Sequence, residues 1–328
     1  MKTRRLGANG PEVSAIGLGC MGMSEFYGKS DDEASKRLIL EALANGITML
    51  DTADTYGHGH NEQLVASALK QWTGDVFIAT KFGICRKKGP YERTINGRPE
   101  YVRQAAENSL KRLGRDIIDL YYIHRVDTTV PVEDTVGAMS DLVRQGKIRY
   151  LGISEASPAT IRKAHAVHPL TAVQSEYSLW TRRVEKEILP AARDLGIGFV
   201  PYSPLGRGFL SGRINDMNEL EDNDFRKKNP RFQEDNFVLN RNLVRKLETI
   251  AGRIGGTAAQ LALAWLLSQG DDIVPIPGTR RKTYLMENIE AVNVSLAEED
   301  LAWIASAIPP DMVRGNRYPE TGMIGIDG

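Results

Sequence analysis

Four side chains in this sequence could carry out a proton transfer together. Asp51, Lys81 and His124 each follow a short run of apolar residues, and Tyr56 lies in the loop after Asp51. A tyrosine hydroxyl has an ordinary pKa of about 10, so a nearby cation must stabilise its phenolate before it becomes a useful acid near neutral pH. Lys81 would supply that cation, Asp51 would hold the lysine, and His124 would hydrogen-bond a carbonyl oxygen. Such a set suits protonation of an oxygen as it becomes an alkoxide.

A structural interpretation of the same residues stands beside the catalytic one. Asp51 and Lys81 could form an ion pair that stabilises the rim of the fold, with Tyr56 and His124 only packed nearby. For any one residue alone this is the simpler interpretation. Four such residues at the ends of three predicted strands favour a site, and their convergence in space decides between the two.

Strand-like and helix-like segments alternate along most of the chain. The turn signal Asn9-Gly10-Pro11 predicts an N-terminal β-hairpin, and eight apolar strand-like runs follow, the last over Ile273–Ile276. Strands that alternate with amphipathic helices predict βαβ units and a parallel sheet. We predict an α/β fold, a (β/α)₈ TIM barrel with the N-terminal hairpin, long loops on the catalytic face and extra C-terminal helices, because the reactive residues follow several different strands. An open doubly wound sheet competes, but no G-x-G-x-x-G opens an early βα unit.

Two long loops and two less regular helices complete the predicted pattern. Residues 83–99 are basic and rich in turn residues, and residues 204–240 form a polar excursion rich in Gly and Asn. A helix is predicted over Arg183–Leu195 despite Pro190, and another over Asn242–Ile254. No linker divides the chain, so residues 1–328 are predicted to form a single domain.

Composition restricts the class of protein. The chain has 328 residues and 36.3 kDa, with Lys+Arg and Asp+Glu both at 42, and shows no cluster of aromatic and basic residues typical of nucleic-acid binding. The N-terminus lacks an apolar signal region, and no run approaches the ~18 apolar residues of a membrane span. Two cysteines without metal-binding spacing suit a reducing compartment. These features predict a cytoplasmic protein with no metal, nucleic-acid or membrane partner; they do not predict the oligomeric state.

Three segments resemble those that carry the catalytic tetrad of the aldo-keto reductases. They are Asp51-Thr-Ala-Asp-Thr-Tyr56-Gly, Ala79-Thr-Lys81 and Leu120-Tyr-Tyr-Ile-His124, and the similarity runs from Leu18-Gly19 to Glu287-Asn288. The stretches at residues 124–127 and 203–212 are most similar to the branch of perakine reductase-like and pyridoxal reductase-like enzymes. The resemblance implies that Tyr56 is the general acid, Lys81 lowers its pKa, Asp51 anchors the lysine and His124 orients the carbonyl.

The turn Gly278-Thr279-Arg280 precedes a predicted helix and offers backbone N–H groups and a guanidinium to a phosphate. A solvated basic helix start is the alternative. The resemblance implies NADPH, with its 2′-phosphate at this turn, adenine at Glu287 and Asn288, and nicotinamide on Tyr202. The full set of implied cofactor residues is Met21, Asp51, Ser154, Gln174, Tyr202, Ser203, Leu205, Gly208, Leu210, Gly278, Thr279, Arg280, Glu287 and Asn288.

One residue departs from the family pattern, and a few residues are predicted to contact the substrate. Many members have Asn after the serine of the fifth strand, whereas this chain has Glu155, which would place a negative charge near the cofactor. Arg125 would attract an anionic group or pair with Asp127. Predicted pocket walls are Met21, Tyr27, Phe82, Trp180 and Tyr318.

The resemblance implies reduction of a small aldehyde or ketone. Two alternatives remain open at this point. Lys81 would also suit a Schiff-base aldolase, and NADPH-binding barrels of this family also serve as regulatory channel subunits. The chain has no long N-terminal extension of the kind expected for gating a partner.

Overall fold

The computed structural model describes residues 1–86 and 93–327. The chain opens with the predicted hairpin, in which β1 (Thr3–Arg5) pairs antiparallel with β2 (Glu12–Ser14). The turn between them packs against the residues that precede two later strands. Ala8 N–H donates to the Gly196 carbonyl at 2.7 Å, and a Cβ on Gly7 would lie 2.8 Å from the Thr171 carbonyl oxygen. The hairpin therefore covers the end of the sheet at which the parallel strands begin.

A seven-stranded parallel sheet forms the centre of the molecule. In spatial order its strands are β3 (Leu18–Gly19), β4 (Met49–Asp51), β5 (Phe77–Phe82), β8 (Ile118–Ile123), β9 (Ile148–Ser154), β10 (Ala172–Glu176) and β11 (Gly198–Tyr202). Neighbouring strands in this order are consecutive in the parallel sheet, so each is reached by a crossover connection. This is the order expected for a barrel and not for a doubly wound sheet.

The segment predicted as the eighth strand closes the barrel without forming a regular strand. Val274 N–H donates to the Phe199 carbonyl at 2.9 Å, and Gly17 N–H donates to the Pro275 carbonyl at 2.9 Å, so the segment joins β11 to β3. Pro275 and Pro277 have no N–H to donate towards β3, which makes half of that ladder impossible. The predicted (β/α)₈ architecture is confirmed, and the prediction of a regular eighth strand is wrong for this reason.

Helices surround the sheet. They are α1 (Asp32–Ala44), α2 (His60–Leu69), α3 (Pro99–Leu113), α4 (Val132–Arg144), α5 (Pro158–Val167), α6 (Ile188–Asp194), α7 (Glu234–Arg253), α8 (Ala258–Ser268), α9 (Lys282–Glu290) and α10 (Glu298–Ala307). Local sequence explains several ends. The Asp31 carboxylate caps α1 by accepting from Ala34 N–H at 2.9 Å, α3 and α5 begin with proline, and Gly114 ends α3 at a φ of 62°.

Three segment predictions are corrected by the structure. The predicted loop over residues 83–99 contains a second hairpin, β6 (Ile84–Arg86) with β7 (Arg93–Ile95), while residues 87–92 lie outside the described part of the chain. The predicted helix Arg183–Leu195 is broken, because α6 starts only at Ile188, which puts Pro190 in its first turn. The helix predicted over Asn242–Ile254 is longer at its N-terminus, because α7 begins at Glu234, inside the segment predicted as an irregular excursion.

The apolar side chains form two layers. Inside the barrel lies a cluster that includes Met49, Leu120, Tyr122, Val200 and Val274. A much larger cluster fills the space between the outer face of the sheet and the helices. Within the described ranges no single helix is long and apolar enough to span a membrane; α7 and α8 meet that criterion only together, as a pair bent by 85°.

Candidate active site

The strand register brings the four predicted catalytic residues to one end of the barrel. Asp51 is the last residue of β4 and lies opposite Ala79 of β5, and Lys81 lies opposite Tyr122 of β8. His124 follows β8 directly, and its backbone N–H donates to the Phe82 carbonyl at 2.8 Å. The carboxyl ends of β4, β5 and β8 are thus adjacent, and this is the face on which barrel enzymes carry their sites.

Lys81 lies at the centre of this group, with no exposed surface. Its ammonium forms an ion pair with Asp51 and donates to the Thr52 carbonyl at 2.8 Å and to the Tyr56 hydroxyl at 3.4 Å. The other carboxylate oxygen of Asp51 accepts from the Gln174 amide at 2.9 Å. Asp51 is therefore held on both sides, and the lysine is directed towards the tyrosine.

Buried polar contacts shape the loop that carries Tyr56. The Thr52 hydroxyl donates to the Asn61 side-chain oxygen at 2.7 Å, and the Asn61 amide donates to the Cys20 carbonyl at 2.9 Å. Beyond Tyr56 the backbone turns sharply, with φ of 56° at Gly57 and 54° at His58. A left-handed conformation at a residue other than glycine is uncommon and often accompanies a functional loop.

Burial controls the protonation of the group. Burial, and then the negative charge of Asp51, raise the pKa of Tyr56 well above its usual range, so the tyrosine holds its proton at neutral pH. Burial lowers the pKa of Lys81, with Asp51 acting in the opposite direction. Burial followed by the positive charges of Lys81 and Arg125 lowers the pKa of His124, which keeps the imidazole neutral. The lowering of the Tyr56 pKa expected from Lys81 is outweighed by burial and by the charge of Asp51.

The His124 ring lies beside Tyr56. The two ring centroids are 5.7 Å apart with planes at 84°, an edge-to-face contact. His124 Nδ1 is buried, and no hydrogen-bond partner for it occurs among the described residues. A neutral imidazole next to the tyrosine hydroxyl can share the binding of a substrate oxygen with it.

These side chains border a cavity of about 470 Å³. Asp51, Tyr56 and His124 line it, whereas Lys81 lies behind them. The cavity also meets most of the predicted cofactor residues: Met21, Ser154, Gln174, Tyr202, Ser203, Leu205, Gly208, Gly278, Thr279, Arg280 and Asn288. One continuous depression thus joins the four strand-end residues to the basic turn at residues 278–280.

Comparison with known proteins agrees with this arrangement. The model of the aldo/keto reductase family matches residues 15–309. A probable aldo-keto reductase 1 of Glycine max is 51% identical over 316 residues, covering 96% of this chain and 91% of its own length. The chain belongs to the aldo-keto reductase family. Family membership makes it an oxidoreductase of small carbonyl compounds, and members generally use a nicotinamide dinucleotide.

Two solved structures have the same barrel. A glycerol dehydrogenase from Gluconobacter oxydans superposes with a TM-score of 0.85 at 30% identity, covering 94% of this chain and 96% of its own. An aldo-keto reductase from Bacillus halodurans in its holo form gives a TM-score of 0.79 at 29% identity, with coverage of 94% and 97%.

Two of the cofactor residues predicted for this aldo-keto reductase do not border the cavity. The Leu210 side chain is fully buried in the outer core, and its N–H donates to the Leu205 carbonyl at 3.1 Å. Glu287 instead accepts from the Arg213 guanidinium at 2.8 Å. Leu210 is thus part of the core, whereas Glu287 contacts Arg213, which itself lines the cavity.

Arg280 borders the cavity but already has partners. Its guanidinium donates to the Tyr27 carbonyl at 2.6 Å and to the Lys29 carbonyl. Close by, the Arg213 guanidinium lies 4.1 Å from the centroid of the Tyr284 ring. The basic turn of this aldo-keto reductase is therefore attached to the loop before α1, which crosses the same end of the cavity.

Predictions for the substrate walls were partly wrong. Met21, Tyr27 and Tyr318 line the cavity of this aldo-keto reductase. Phe82 does not, since it stacks on Tyr121 in the outer core with ring centroids 4.8 Å apart. Trp180 also belongs to the core, 5.0 Å from the Phe209 ring. A residue that lies close in sequence to a loop of the catalytic face can still direct its side chain into the core.

The sequence did not point to several cavity residues of this aldo-keto reductase. These are chiefly Glu25, Phe26, Ile84, Arg86, Arg93, Arg207, Leu220, Phe225 and Arg226. They come from the loop before α1, the β6–β7 hairpin and the 203–232 excursion, which lack periodicity. Phe26 and Arg207 have a positive φ, which is uncommon for such residues, but the structure and not the sequence reveals it.

Proposed function

We propose that this aldo-keto reductase reduces aldehydes and ketones to alcohols with NADPH, and that Tyr56 is the general acid. The observation that carries the proposal is the contact of the Tyr56 hydroxyl with the buried Lys81 ammonium, 3.4 Å away at the wall of the cavity. A protonated tyrosine beside a fixed cation is an acid whose conjugate base is stabilised where it forms.

Each side chain then has one task. Tyr56 donates its proton to the carbonyl oxygen, and Lys81, whose Nζ is 5.1 Å from the centre of the tyrosine ring, stabilises the phenolate that is left. Asp51 keeps the lysine charged and in position, and Gln174 fixes the second Asp51 oxygen. The neutral His124 hydrogen-bonds the carbonyl oxygen and orients it towards the tyrosine.

The residues along the cavity suit a nicotinamide dinucleotide. Bound NADPH supplies the hydride for the carbonyl carbon. Ser154 and Gln174 offer hydroxyl and amide groups for the carboxamide, and Tyr202 offers an aromatic face. Gly278 has no room for a side chain, because a Cβ there would lie 2.9 Å from the Gly19 carbonyl oxygen, so the basic turn runs close against β3. Arg280 and Thr279 offer charge and a hydroxyl to the 2′-phosphate.

The aldolase alternative fits these contacts less well. Lys81 is fully buried behind the cavity wall and held in an ion pair, so its amine is not available to attack a substrate carbonyl. The regulatory alternative requires cofactor binding without turnover.

We also propose a single domain over residues 1–328 and a cytoplasmic location, with a small carbonyl compound as the partner.

The proposal is tested by the loss of NADPH absorbance with a panel of 4-nitrobenzaldehyde, methylglyoxal and pyridoxal. Faster oxidation of NADPH than of NADH supports it. Tight NADPH binding without oxidation by any aldehyde favours the regulatory subunit. Borohydride trapping of an aldehyde on Lys81 without any cofactor binding favours the aldolase.

A further inference from the structure

Arg125 is a buried cation whose hydrogen bonds are only partly used. Arg125 follows His124 in the sequence, lines the cavity and is only 5% exposed. One guanidinium nitrogen donates to the His124 carbonyl at 2.8 Å and, more weakly, to the Ser154 hydroxyl at 3.4 Å. Arg125 Nε is buried and has no hydrogen-bond partner among residues 1–86 and 93–327.

Five other buried or half-buried arginines pair with a carboxylate. Arg207 and Arg231 share Glu176, Arg86 pairs with Glu25 at 2.8 Å, Arg226 pairs with Asp224 at 2.6 Å, and Arg317 pairs with Glu155 at 2.5 Å. For Arg125 no carboxylate within 4.0 Å is found in the described part of the chain. The predicted pairing with Asp127 is wrong, because Asp127 accepts from Gly97 N–H at 2.9 Å and from Thr129.

The nearby acids are already paired with other cations. Glu155, whose negative charge raises the pKa of Arg125, forms its ion pair with Arg317, and Asp51 is held by Lys81. Removing a guanidinium from water without a counter-ion is costly, and a buried ion is retained only when it is paired or has a function. A guanidinium also presents two parallel N–H groups that match a carboxylate or phosphate. The wall of the cavity beside His124 thus offers an anion site that the protein itself does not fill.

We propose that Arg125 binds an anionic group of the substrate, so the preferred substrate is a carbonyl compound with a carboxylate or phosphate a few bonds from the carbonyl. The inference rests on the proposed function, because it takes Tyr56 and His124 as the residues that bind the carbonyl oxygen of the substrate. Arg125 is a specificity residue in this scheme. It places the anion beside the residue that orients the carbonyl, and it thereby aligns the reacting group.

The test compares aldehydes of one shape and different charge. 4-Carboxybenzaldehyde, its neutral methyl ester and 4-formylphenyl phosphate are assayed with NADPH, using wild type, Arg125→Met and Arg125→Lys. We expect wild type to prefer an anionic aldehyde over the ester by roughly 10- to 100-fold in kcat/KM, mainly through KM. Arg125→Met should abolish the preference and Arg125→Lys should restore part of it. The better of the two anions identifies the class of substrate.

Cofactor titration and a surface control separate the remaining explanations. The Kd of NADPH should be unchanged in Arg125→Met, and Arg149→Met, at an arginine far from the cavity that pairs with Asp119, should behave as wild type. Equal loss with all aldehydes, together with weaker NADPH binding, would mean that Arg125 serves the cofactor, and equal use of acid and ester by wild type would also overturn the inference. Failure to reduce any aldehyde would contradict the proposed function itself.

A measurement on wild type alone covers the case in which the variants do not fold. Benzoate should compete with the neutral ester, and benzamide, which has the same shape without the charge, should not. Equal inhibition by the two compounds would contradict an anion site at Arg125.

Discussion

Glu155 and Arg317 form a buried ion pair at 2.5 Å, joining the end of β9 to the C-terminal segment 162 residues later. Glu155 is 3% exposed and also accepts from Glu176 N–H at 2.9 Å. The next residue, Tyr318, shares a hydrogen bond with Tyr202 at 3.1 Å between hydroxyls. The glutamate that departs from the family pattern thus pairs with the C-terminal segment and helps to fix a wall of the cavity, which Glu155 itself does not line.

Replacing Glu155 with the Asn common in the family should therefore destabilise this protein. The backbone at position 155 has a φ of 53°, a left-handed conformation that Asn tolerates well, so no backbone penalty is expected. The loss should come from the unpaired Arg317 and amount to about 3 kcal/mol, measured by urea unfolding. The KM of the aldehyde should rise as Tyr318 becomes less ordered.

A double variant is the control for this pair. Glu155→Asn with Arg317→Leu removes both charges, and we expect it to recover most of the lost stability. If the single and double variants lose stability equally, the ion pair is not the cause and the account of Glu155 is wrong.

We expect Asp54 to make the stability of the protein depend on pH. Burial, followed by the charge of Glu62, raises the pKa of this carboxyl to about 8, and its Oδ1 has no partner in the described residues. A raised folded-state pKa contributes stability below the unfolded pKa, and that contribution is lost as the pH rises through about 8. Asp54→Asn, which resembles the protonated form, should gain stability relative to wild type as the pH increases from about 4 to about 9.

Thermal unfolding of the two proteins across this pH range measures the effect. Asp75→Asn, at an exposed aspartate, is the matched control and should follow wild type. A constant difference between Asp54→Asn and wild type at every pH would show that the Asp54 carboxyl titrates normally.

Arg280→Met tests how the cavity distinguishes the two nicotinamide cofactors. If the guanidinium binds the 2′-phosphate, the Kd of NADPH should rise on the order of 10- to 100-fold, while the Kd of NADH changes little. Because Arg280 also holds the carbonyls of Tyr27 and Lys29, a purely structural role would weaken both cofactors equally. Fluorescence titration with NADPH and NADH separates these outcomes.

The part of the site that the sequence predicts is the part built by the barrel. Asp51, Lys81 and His124 end or follow strands whose apolar runs are visible in the sequence, and the parallel register brings such ends together. Their contacts with Tyr56 depend on one short loop with glycine turns. Local patterns therefore indicated the common end of the barrel for the three strand-end residues, while the structure was needed to show their contacts with Tyr56.

The rest of the cavity depends on contacts between distant segments. Arg280 reaches Lys29 across 251 residues, and Phe225 N–H donates to the Phe26 carbonyl at 2.9 Å. No periodicity marks such pairs, because they join irregular loops. Trp180 illustrates the same difficulty, since its neighbours in the sequence lie near the catalytic face while its ring packs against Phe209 in the core.

The most direct test of the central claim is single-turnover reduction of 4-nitrobenzaldehyde by Tyr56→Phe, followed by NADPH absorbance. Removing the proton donor should lower the rate by roughly 10²- to 10⁴-fold, while the Kd of NADPH stays close to wild type. Tyr150→Phe, which removes a hydroxyl from a half-buried tyrosine packed against Phe77, should react at the normal rate. A near-normal rate in Tyr56→Phe would contradict the assignment of Tyr56 as the general acid.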